Sequence, residues 1–224
     1  MTSAFLPSRR VSLVLLAVSL VVFLVTAAAV ALDGAHGFDA AIAGWVSNAS
    51  GLPAGPDWLV EASRDFTSLG SYALLTTIVV IACAVLMAVG RWKVAAYLAA
   101  VSVVGTIVSS LLKAGFARPR PDISSGIKVF TASFPSGHAT MSAAILLSLA
   151  AIIAWLSPNR SVAVLGWLFA ILLTGIVGLT RIHLGVHYPT DVLAGWAVGA
   201  SWALLCGLIV ETVAGNRGGA LTKS

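Results

Sequence analysis

The stretch VSLVLLAVSLVVFLVTAAAVAL, residues 11–32, decides the fold class because it contains no Asp, Glu, Lys or Arg. A helix needs about 20 apolar residues to cross a bilayer, and this run meets that length. Five more charge-free stretches follow, at about residues 66–90, 94–112, 138–157, 161–180 and 192–210. The runs are continuously apolar, and backbone polar groups in lipid must be satisfied within the segment, so each run predicts a helix. The prediction is all-α: an integral membrane bundle of six transmembrane helices.

The composition of the 224-residue chain agrees, since 59% of it is apolar and only 9% is charged. A soluble domain carries about 25% charged residues, and a disordered chain combines low hydrophobicity with high charge, so both classes are excluded. The net charge of +5 arises from basic residues scattered between the spans. It therefore indicates contact with a lipid bilayer and no nucleic-acid partner. We expect a single membrane domain over residues 1–224.

Residues 33–65, between the first two spans, form the longest polar segment. Phe38, Ile42, Trp45 and Val46 recur at helical spacing, and Trp58 follows a run rich in Gly and Pro. This pattern predicts two short helices on the outer membrane surface, with the tryptophans at headgroup level.

Basic residues in the short loops favour cytoplasmic N- and C-termini. An export signal is the alternative at the N-terminus, but 22 apolar residues exceed the usual h-region of about 7–15, which favours a retained first span. We expect a multi-pass protein of the cell (inner) membrane.

A basic, proline-rich turn, KAGFARPRP at residues 113–121, follows the third span. Its prolines prevent the helix from continuing. Lys113 is therefore expected to end the span, with Arg118 and Arg120 in an extended turn. Fixed cations on a stiff backbone suit a bound oxyanion, because Arg grips phosphate oxygens bidentately and Lys acts as a point charge. A loop in contact with lipid headgroups is the alternative.

The fourth span opens with FPSGH, residues 134–138. Ser136 is predicted to be the N-cap, and Gly137 allows the backbone to approach a ligand closely. A helix N-terminus favours phosphate, and His138 in the first turn would face it. An ordinary capped helix with an interfacial histidine would show the same pattern.

The third polar segment, TRIHLGVHYPTD at residues 180–191, separates the last two spans. Pro189 suits the first helical position, which places Asp191 in the first turn and His187 directly before the helix. An aspartate four residues on can hold one imidazole nitrogen and leave the other free as a nucleophile or base. Asp191 could instead only complement the helix dipole.

His183, His187 and Asp191 also have the spacing of metal ligands on one helical face. Pro189 interrupts that face, and Lys113, Arg120 and Arg181 would repel a divalent cation. We therefore expect neither metal nor cofactor, and His183 is predicted to be a packing or supporting residue.

Together the three segments resemble the tripartite signature of the type 2 phosphatidic acid phosphatase (PAP2) superfamily. The family pattern is Lys-x6-Arg-Pro, then Pro-Ser-Gly-His, then Ser-Arg-x5-His-x3-Asp. The chain has Lys113-x6-Arg120-Pro121, Pro135-Ser136-Gly137-His138 and Arg181-x5-His187-x3-Asp191. The spacing selects Arg120 over Arg118, and Thr180 replaces the serine of the pattern while keeping a hydroxyl.

The resemblance implies a metal-independent phosphatase site in which each motif residue has a role. His187 would be the nucleophile that forms a phosphohistidine, Asp191 would orient it, and His138 would protonate the leaving oxygen and later activate water. The phosphoryl oxygens would be bound by the remaining motif residues, Lys113, Arg120, Ser136, Gly137 and Arg181.

The implied reaction is hydrolysis of a lipid phosphate or diphosphate at the outer membrane interface. Polyprenyl diphosphate, phosphatidylglycerol phosphate and phosphatidic acid are all candidate substrates, and a polyprenyl carrier is favoured if the chain is bacterial. Two alternatives stay open. A vanadate-dependent haloperoxidase shares the signature, although those enzymes are soluble. A non-enzymatic anion carrier would need charged residues mid-span, and the six runs contain none.

Overall fold

The computed structural model describes residues 8–47, 53–121 and 131–221, with side chains up to residue 212. Within these ranges all the regular secondary structure longer than a single β-bridge is α-helical, which confirms the helical membrane bundle. Residues 48–52 of the predicted interfacial segment lie outside the described residues. The helices are α1 (Arg9–Ala31), α2 (His36–Val46), α3 (Asp57–Ser68), α4 (Tyr72–Ala88), α5 (Trp92–Phe116), α6 (Gly137–Leu156), α7 (Arg160–His183) and α8 (Pro189–Leu221).

Five helices, namely α1, α5, α6, α7 and α8, are long and apolar enough to cross a bilayer alone. The bent pair α3–α4 makes a sixth span if the two helices are counted together, and its axis turns by 44°. Large apolar side chains are exposed along these helices, for example Val14 at 61%, Leu24 at 62% and Phe169 at 59%. Such a surface is unfavourable in water and suits lipid.

The second span differs from its prediction of 66–90. Phe66 belongs to α3, and the membrane helix begins only at Tyr72. Ser71 starts it as a true N-cap, because its hydroxyl accepts a hydrogen bond from the amide of Leu74 at 3.2 Å. Hydropathy alone did not show this break, since the residues around it are uncharged.

The third span, predicted as 94–112, also differs, because α5 continues for one more turn to Phe116. Proline disfavours the helical conformation of the residue before it, which here is Arg118. Residues 114–116 are therefore free to remain helical. Lys113 lies in the last turn of α5 and does not end it.

The central helix is α6, which is mostly buried, whereas α1 lies at the periphery with most of its residues exposed. Close packing of α6 on α8 depends on Gly195 and Gly199, which share one helical face four residues apart. A methyl group on Gly195 would come within 2.7 Å of the Ser136 carbonyl oxygen. Small residues at this spacing let two helix backbones approach closely in a membrane. The contact brings the start of α6 beside the start of α8.

The short helices α2 and α3 occupy the region predicted for them. Ile42 and Val46 of α2 pack against a cluster that includes Ile182 and Val192. Trp45, on the outer side of α2, is 86% exposed. The helix is thus attached to the ends of α7 and α8 by one face only.

Candidate active site

The three sequence motifs meet where α5 and α7 end and α6 and α8 begin. Lys113 and Arg120 both donate to the carbonyl oxygen of Ala132, at 2.7 and 3.4 Å. The amide of Ser136 donates to the carbonyl oxygen of Asp191 at 2.9 Å. The pairing predicted within the third motif is also present, since Nδ1 of His187 lies 3.3 Å from Oδ2 of Asp191. The fold therefore collects distant parts of the chain into one polar cluster.

Arg120 defines the protonation of the His187 ring. Its Nη1 lies 3.0 Å from Nε2 of His187. A guanidinium can only donate hydrogen bonds, so Nε2 must be the unprotonated, accepting nitrogen. The ring proton is then on Nδ1, directed at Asp191. This tautomer places the ring's lone pair on Nε2, on the side of the cations, where a phosphoryl group that takes over the Arg120 bond would meet a nucleophile.

Burial makes the neutral form of His187 strongly preferred. The ring is 3% exposed. Burial lowers the pKa of His187 to about 3, the charges of Arg120 and Arg181 act in the same direction, and Asp191 opposes them. Burial also lowers the pKa of Arg120, although the group remains a cation near neutral pH. His187 is therefore neutral at neutral pH.

Two site residues hold buried polar atoms that have no hydrogen-bond partner among the described residues. They are Oγ of Ser136 and Nε of Arg181. Ser136 is the N-cap of α6 by position, but its side chain makes no capping bond, which corrects that part of the prediction. Arg181 is anchored by one bond, from Nη1 to the Thr67 hydroxyl at 3.1 Å. Buried polar groups in native proteins are normally satisfied, so both fit a bound oxyanion.

The bend between α3 and α4 forms a wall of the site. A methyl group on Gly70 would lie 3.4 Å from Cβ of His138, and one on Gly137 would lie 2.7 Å from the Tyr72 hydroxyl and 3.4 Å from Cε of Lys113. The backbone of Gly70 thus lies close against one side of the half-buried His138, and Tyr72 extends its hydroxyl to the start of α6. Glycine at position 137 is needed because a side chain there would collide with the Tyr72 hydroxyl.

Removal of the Tyr72 hydroxyl tests this wall. A hydrogen bond to a charged group contributes about 1.5–3 kcal/mol, so Tyr72→Phe is expected to raise KM for a phosphorylated lipid about tenfold or more. The ring is kept, and we expect the melting temperature to stay unchanged. Steady-state kinetics on purified protein measure the effect. A KM within about twofold of the parent's would show that the hydroxyl does not contact the substrate.

Sequence reasoning assigned no role to three residues that hold Asp191 directly or through another residue: Arg118, Ser133 and Asp39. Arg118 donates from Nη1 to Oδ1 of Asp191 at 2.7 Å and from Nη2 to Oδ2 of Asp39 at 2.8 Å. The Ser133 hydroxyl donates to Oδ2 of Asp191 and lies 3.4 Å from Nδ1 of His187. The sequence showed Arg118 as a cation of the turn, but the signature spacing selected Arg120 and left Arg118 without a role. Nothing in the sequence around Asp39 distinguishes it from the other acidic residues.

His183 lies apart from this network and supports the fold. Its Nδ1 is 2.8 Å from the Ser63 hydroxyl, and its Nε2 is 2.7 Å from the carbonyl oxygen of Ala54. Both ring nitrogens are thus bonded to the segment that carries α3, in agreement with the supporting role predicted for it. Within the described ranges, no three His, Cys, Asp or Glu side chains are grouped as a metal site would need.

The buried neutral His187 should make stability depend on pH. Its pKa in the folded protein is about 3, whereas an unfolded histidine has a pKa of about 6.5. Between these values the unfolded chain binds a proton that the folded chain does not, so the free energy of unfolding falls as pH decreases. From about pH 7.5 to about pH 5, the melting temperature of the parent should fall more than that of His187→Gln. Thermal unfolding in detergent measures this, and equal falls in both proteins would contradict it.

Comparison with known proteins gives a consistent picture. A family model described as the PAP2 superfamily matches residues 92–214. The chain is 32% identical over 184 residues to phosphatidylglycerophosphatase B of Bacillus subtilis, covering 79% of this chain and 85% of that protein. It is 34% identical over 129 residues to lipid A 1-phosphatase of Rhizobium johnstonii, covering 52% and 48%.

The crystal structure of a transmembrane PAP2 type phosphatidylglycerolphosphate phosphatase from Bacillus subtilis resembles the whole bundle. Its TM-score is 0.79 at 26% identity, and the superposition covers 88% of this chain and 96% of that one. The likeness thus includes the helices that precede the family match.

Proposed function

Because the chain belongs to the PAP2 superfamily and is a membrane phosphatase of that type, we propose that it hydrolyses a lipid phosphate or diphosphate through a phosphohistidine on His187. The observation that carries the proposal is the orientation of the His187 ring. Its Nδ1 faces Asp191, and its unprotonated Nε2 lies in contact with Arg120. A neutral imidazole oriented in this way is a nucleophile, and the surrounding cations attract the phosphoryl oxygens, which brings the electrophilic phosphorus to it.

The phosphoryl group would be bound by positive charge and by free donors. Lys113, Arg120 and Arg181 supply the charge, and Ser136 supplies a buried hydroxyl that lacks a partner in the described structure. The first amides of α6, beginning with Gly137, add the helix N-terminus. In phosphoryl transfer, charge spreads over the equatorial oxygens, so positioned cations stabilise the transition state electrostatically.

In the first step the lone pair on Nε2 of His187 forms a bond to phosphorus, and the bond from phosphorus to the lipid oxygen breaks. His138, in its protonated form, donates a proton to that oxygen. The positive charge that develops on His187 is stabilised by Asp191, which accepts the Nδ1 proton in a hydrogen bond.

In the second step a water molecule attacks the phosphohistidine. The neutral His138 left by the first step takes the proton of this water. The bond from phosphorus to Nε2 breaks and returns its electron pair to the ring, so His187 is regenerated and inorganic phosphate is released.

The location of the site favours a lipid substrate. The cluster lies at the ends of four spanning helices, and α2, whose Asp39 binds Arg118, carries the exposed Trp45. Tryptophan is enriched at the level of lipid headgroups, so a phosphate there can enter while its tail remains in hydrocarbon. We propose that this end faces the non-cytoplasmic side of the inner membrane, with both termini in the cytoplasm.

Phosphatidylglycerol phosphate is the first substrate to test, because the relative matched over 184 residues is named a phosphatidylglycerophosphatase. Phosphate release should be measured on purified protein with that lipid, undecaprenyl diphosphate and phosphatidic acid, and with His187→Gln as the control. We expect the parent to release phosphate from at least one lipid and His187→Gln to release none. A chelator should not lower the activity of the parent. Phosphate release by His187→Gln would show that His187 is not the nucleophile. Loss of activity on chelation, with recovery on addition of a divalent ion, would favour metal chemistry instead.

A further inference from the structure

Arg118 lies outside the spacing of the PAP2 signature, yet it forms an ion pair with Asp191. Its Nη1 donates to Oδ1 of Asp191 at 2.7 Å and to the Thr190 hydroxyl at 2.8 Å. Its guanidinium also stacks over the ring of Tyr188, 4.1 Å from the centroid. These contacts surround the segment that joins His187 to α8.

The opposite end of the same guanidinium is held by Asp39, on the interfacial helix α2. Nη2 of Arg118 donates to Oδ2 of Asp39 at 2.8 Å. The Thr190 amide donates to Oδ1 of Asp39 at 3.0 Å, and the Thr190 hydroxyl donates to Oδ2 at 2.8 Å. Asp39 is only 2% exposed. A carboxylate that is this deeply buried is normally paired.

Arg118 therefore bridges two buried carboxylates, one on α2 and one on α8. Burial acts against its charge, but the hydrogen bonds and charges of Asp39 and Asp191 outweigh it and raise the pKa of Arg118. A planar guanidinium can serve both carboxylates at once, which a lysine ammonium cannot do with the same geometry. The bridge also ties the turn after α5 to the start of α8.

The effect of the bridge on Asp191 is to restrict which oxygen faces the histidine. With Oδ1 bound by Arg118, Oδ2 is left to accept from the Ser133 hydroxyl, from the Tyr188 amide at 2.9 Å and from His187. A carboxylate fixed at one oxygen cannot rotate away from the imidazole, so the tautomer and direction of the ring are maintained.

We propose that Asp39 and Arg118 are positioning residues. They hold Asp191, and through it they keep the nucleophilic nitrogen of His187 in the tautomer and direction that phosphoryl transfer needs. The inference rests on the proposed function. It assigns a task to α2, which precedes the residues 92–214 matched by the family model. It also explains why a charge pair is retained in a buried position, where an apolar pair of the same shape would often be as stable.

Asp39→Asn is the variant that separates positioning from folding. Asparagine keeps an oxygen that can accept from the Thr190 amide, but it removes the charge that pairs with Arg118. We expect kcat to fall about tenfold while KM stays within about twofold, since a shift of the reacting nitrogen affects the transition state and not substrate binding. The matched control is Asp57→Asn, which removes the same charge from an exposed residue of α3 and should behave like the parent.

A double-mutant cycle identifies the route of the effect. If Asp39 acts through Asp191, then adding Asp39→Asn to Asp191→Asn should cost less than about twofold further in kcat, because the group to be positioned is already impaired. If Asp39→Asn lowers kcat tenfold both in the parent and in Asp191→Asn, Asp39 has a general structural role. If Asp39→Asn alone has a kcat within about twofold of the parent's, the inference is overturned. Should that variant fold poorly, the neutral pair Asp39→Asn/Arg118→Gln replaces it, with the same expected fall in kcat.

A measurement without turnover keeps this inference separate from the proposed function. The chain has four histidines, so their nitrogen resonances can be recorded in protein labelled with ¹⁵N-histidine and assigned with His187→Gln. We expect a single Nδ1-protonated tautomer for His187 in the parent and averaged tautomers in Asp39→Asn. Unchanged resonances in Asp39→Asn would reject the positioning role, even if the enzyme releases no phosphate from any lipid tested.

Discussion

His187→Gln is expected to lower phosphate release from the best lipid substrate by about 10⁴-fold or more, because removal of a nucleophile leaves only the binding and electrostatic contributions of the site. Glutamine retains a hydrogen-bonding side chain of similar size but cannot form a phosphoramidate that turns over. Binding of the lipid should be less affected, because the cations and the start of α6 are unchanged. Release is measured from detergent-solubilised lipid on purified parent and variant.

The covalent intermediate gives a direct check of the same residue. After a brief reaction with ³²P-labelled lipid and an alkaline quench, the parent should carry label that survives base and is lost in acid, as expected of a phosphohistidine. His187→Gln should carry none. The control is His36→Gln, since His36 is exposed and pairs with the exposed Asp33, away from the site residues. Label retained in His187→Gln would assign the nucleophile to another residue.

His138→Gln is expected to cost about 10²–10⁴-fold in kcat/KM for a lipid phosphate, the usual contribution of a general acid and base. The loss should depend on the leaving group. An alcohol needs a proton in order to leave, whereas nitrophenolate does not, so p-nitrophenyl phosphate should show a clearly smaller loss. Comparison of the two substrates with parent and variant measures this difference.

The same variant should also change which step limits turnover. Without His138 the attack of water on the phosphohistidine is slowed, so p-nitrophenyl phosphate should give a burst of nitrophenol followed by a slow steady rate. Equal losses with both substrates, and no burst, would mean that His138 serves only to bind phosphate. His36→Gln is again the matched control, with kinetics like those of the parent.

Much of the fold could be predicted from local sequence. The charge-free runs predicted the helices because a spanning segment must be apolar along its length and must satisfy its own backbone. The start of α8 was also predictable, since Pro189 and Asp191 prefer the first helical turn. The bend at Gly70 was not, because the helix restarts through a single hydroxyl, that of Ser71, in a stretch that contains no charged residue.

The candidate site divides in a similar way. Residues with fixed spacing, such as His187 and Asp191, could be named from the sequence, and the structure places them 3.3 Å apart at the nitrogen and oxygen. Asp39 could not be named, because it is 151 residues from its partner Thr190 in the chain. No spacing rule extends over that distance.

The sequence by itself determined that this protein is a helical membrane protein with three polar motifs. Lipid excludes charged side chains from the spans, so the charged residues of the motifs stand out at the span ends. The tertiary structure decided which nitrogen of His187 is unprotonated, that the Ser136 side chain makes no capping bond, and that Arg118 joins Asp39 to Asp191. These features depend on distances between helices. Those distances follow from close packing at positions such as Gly195, where a missing side chain brings two backbones together.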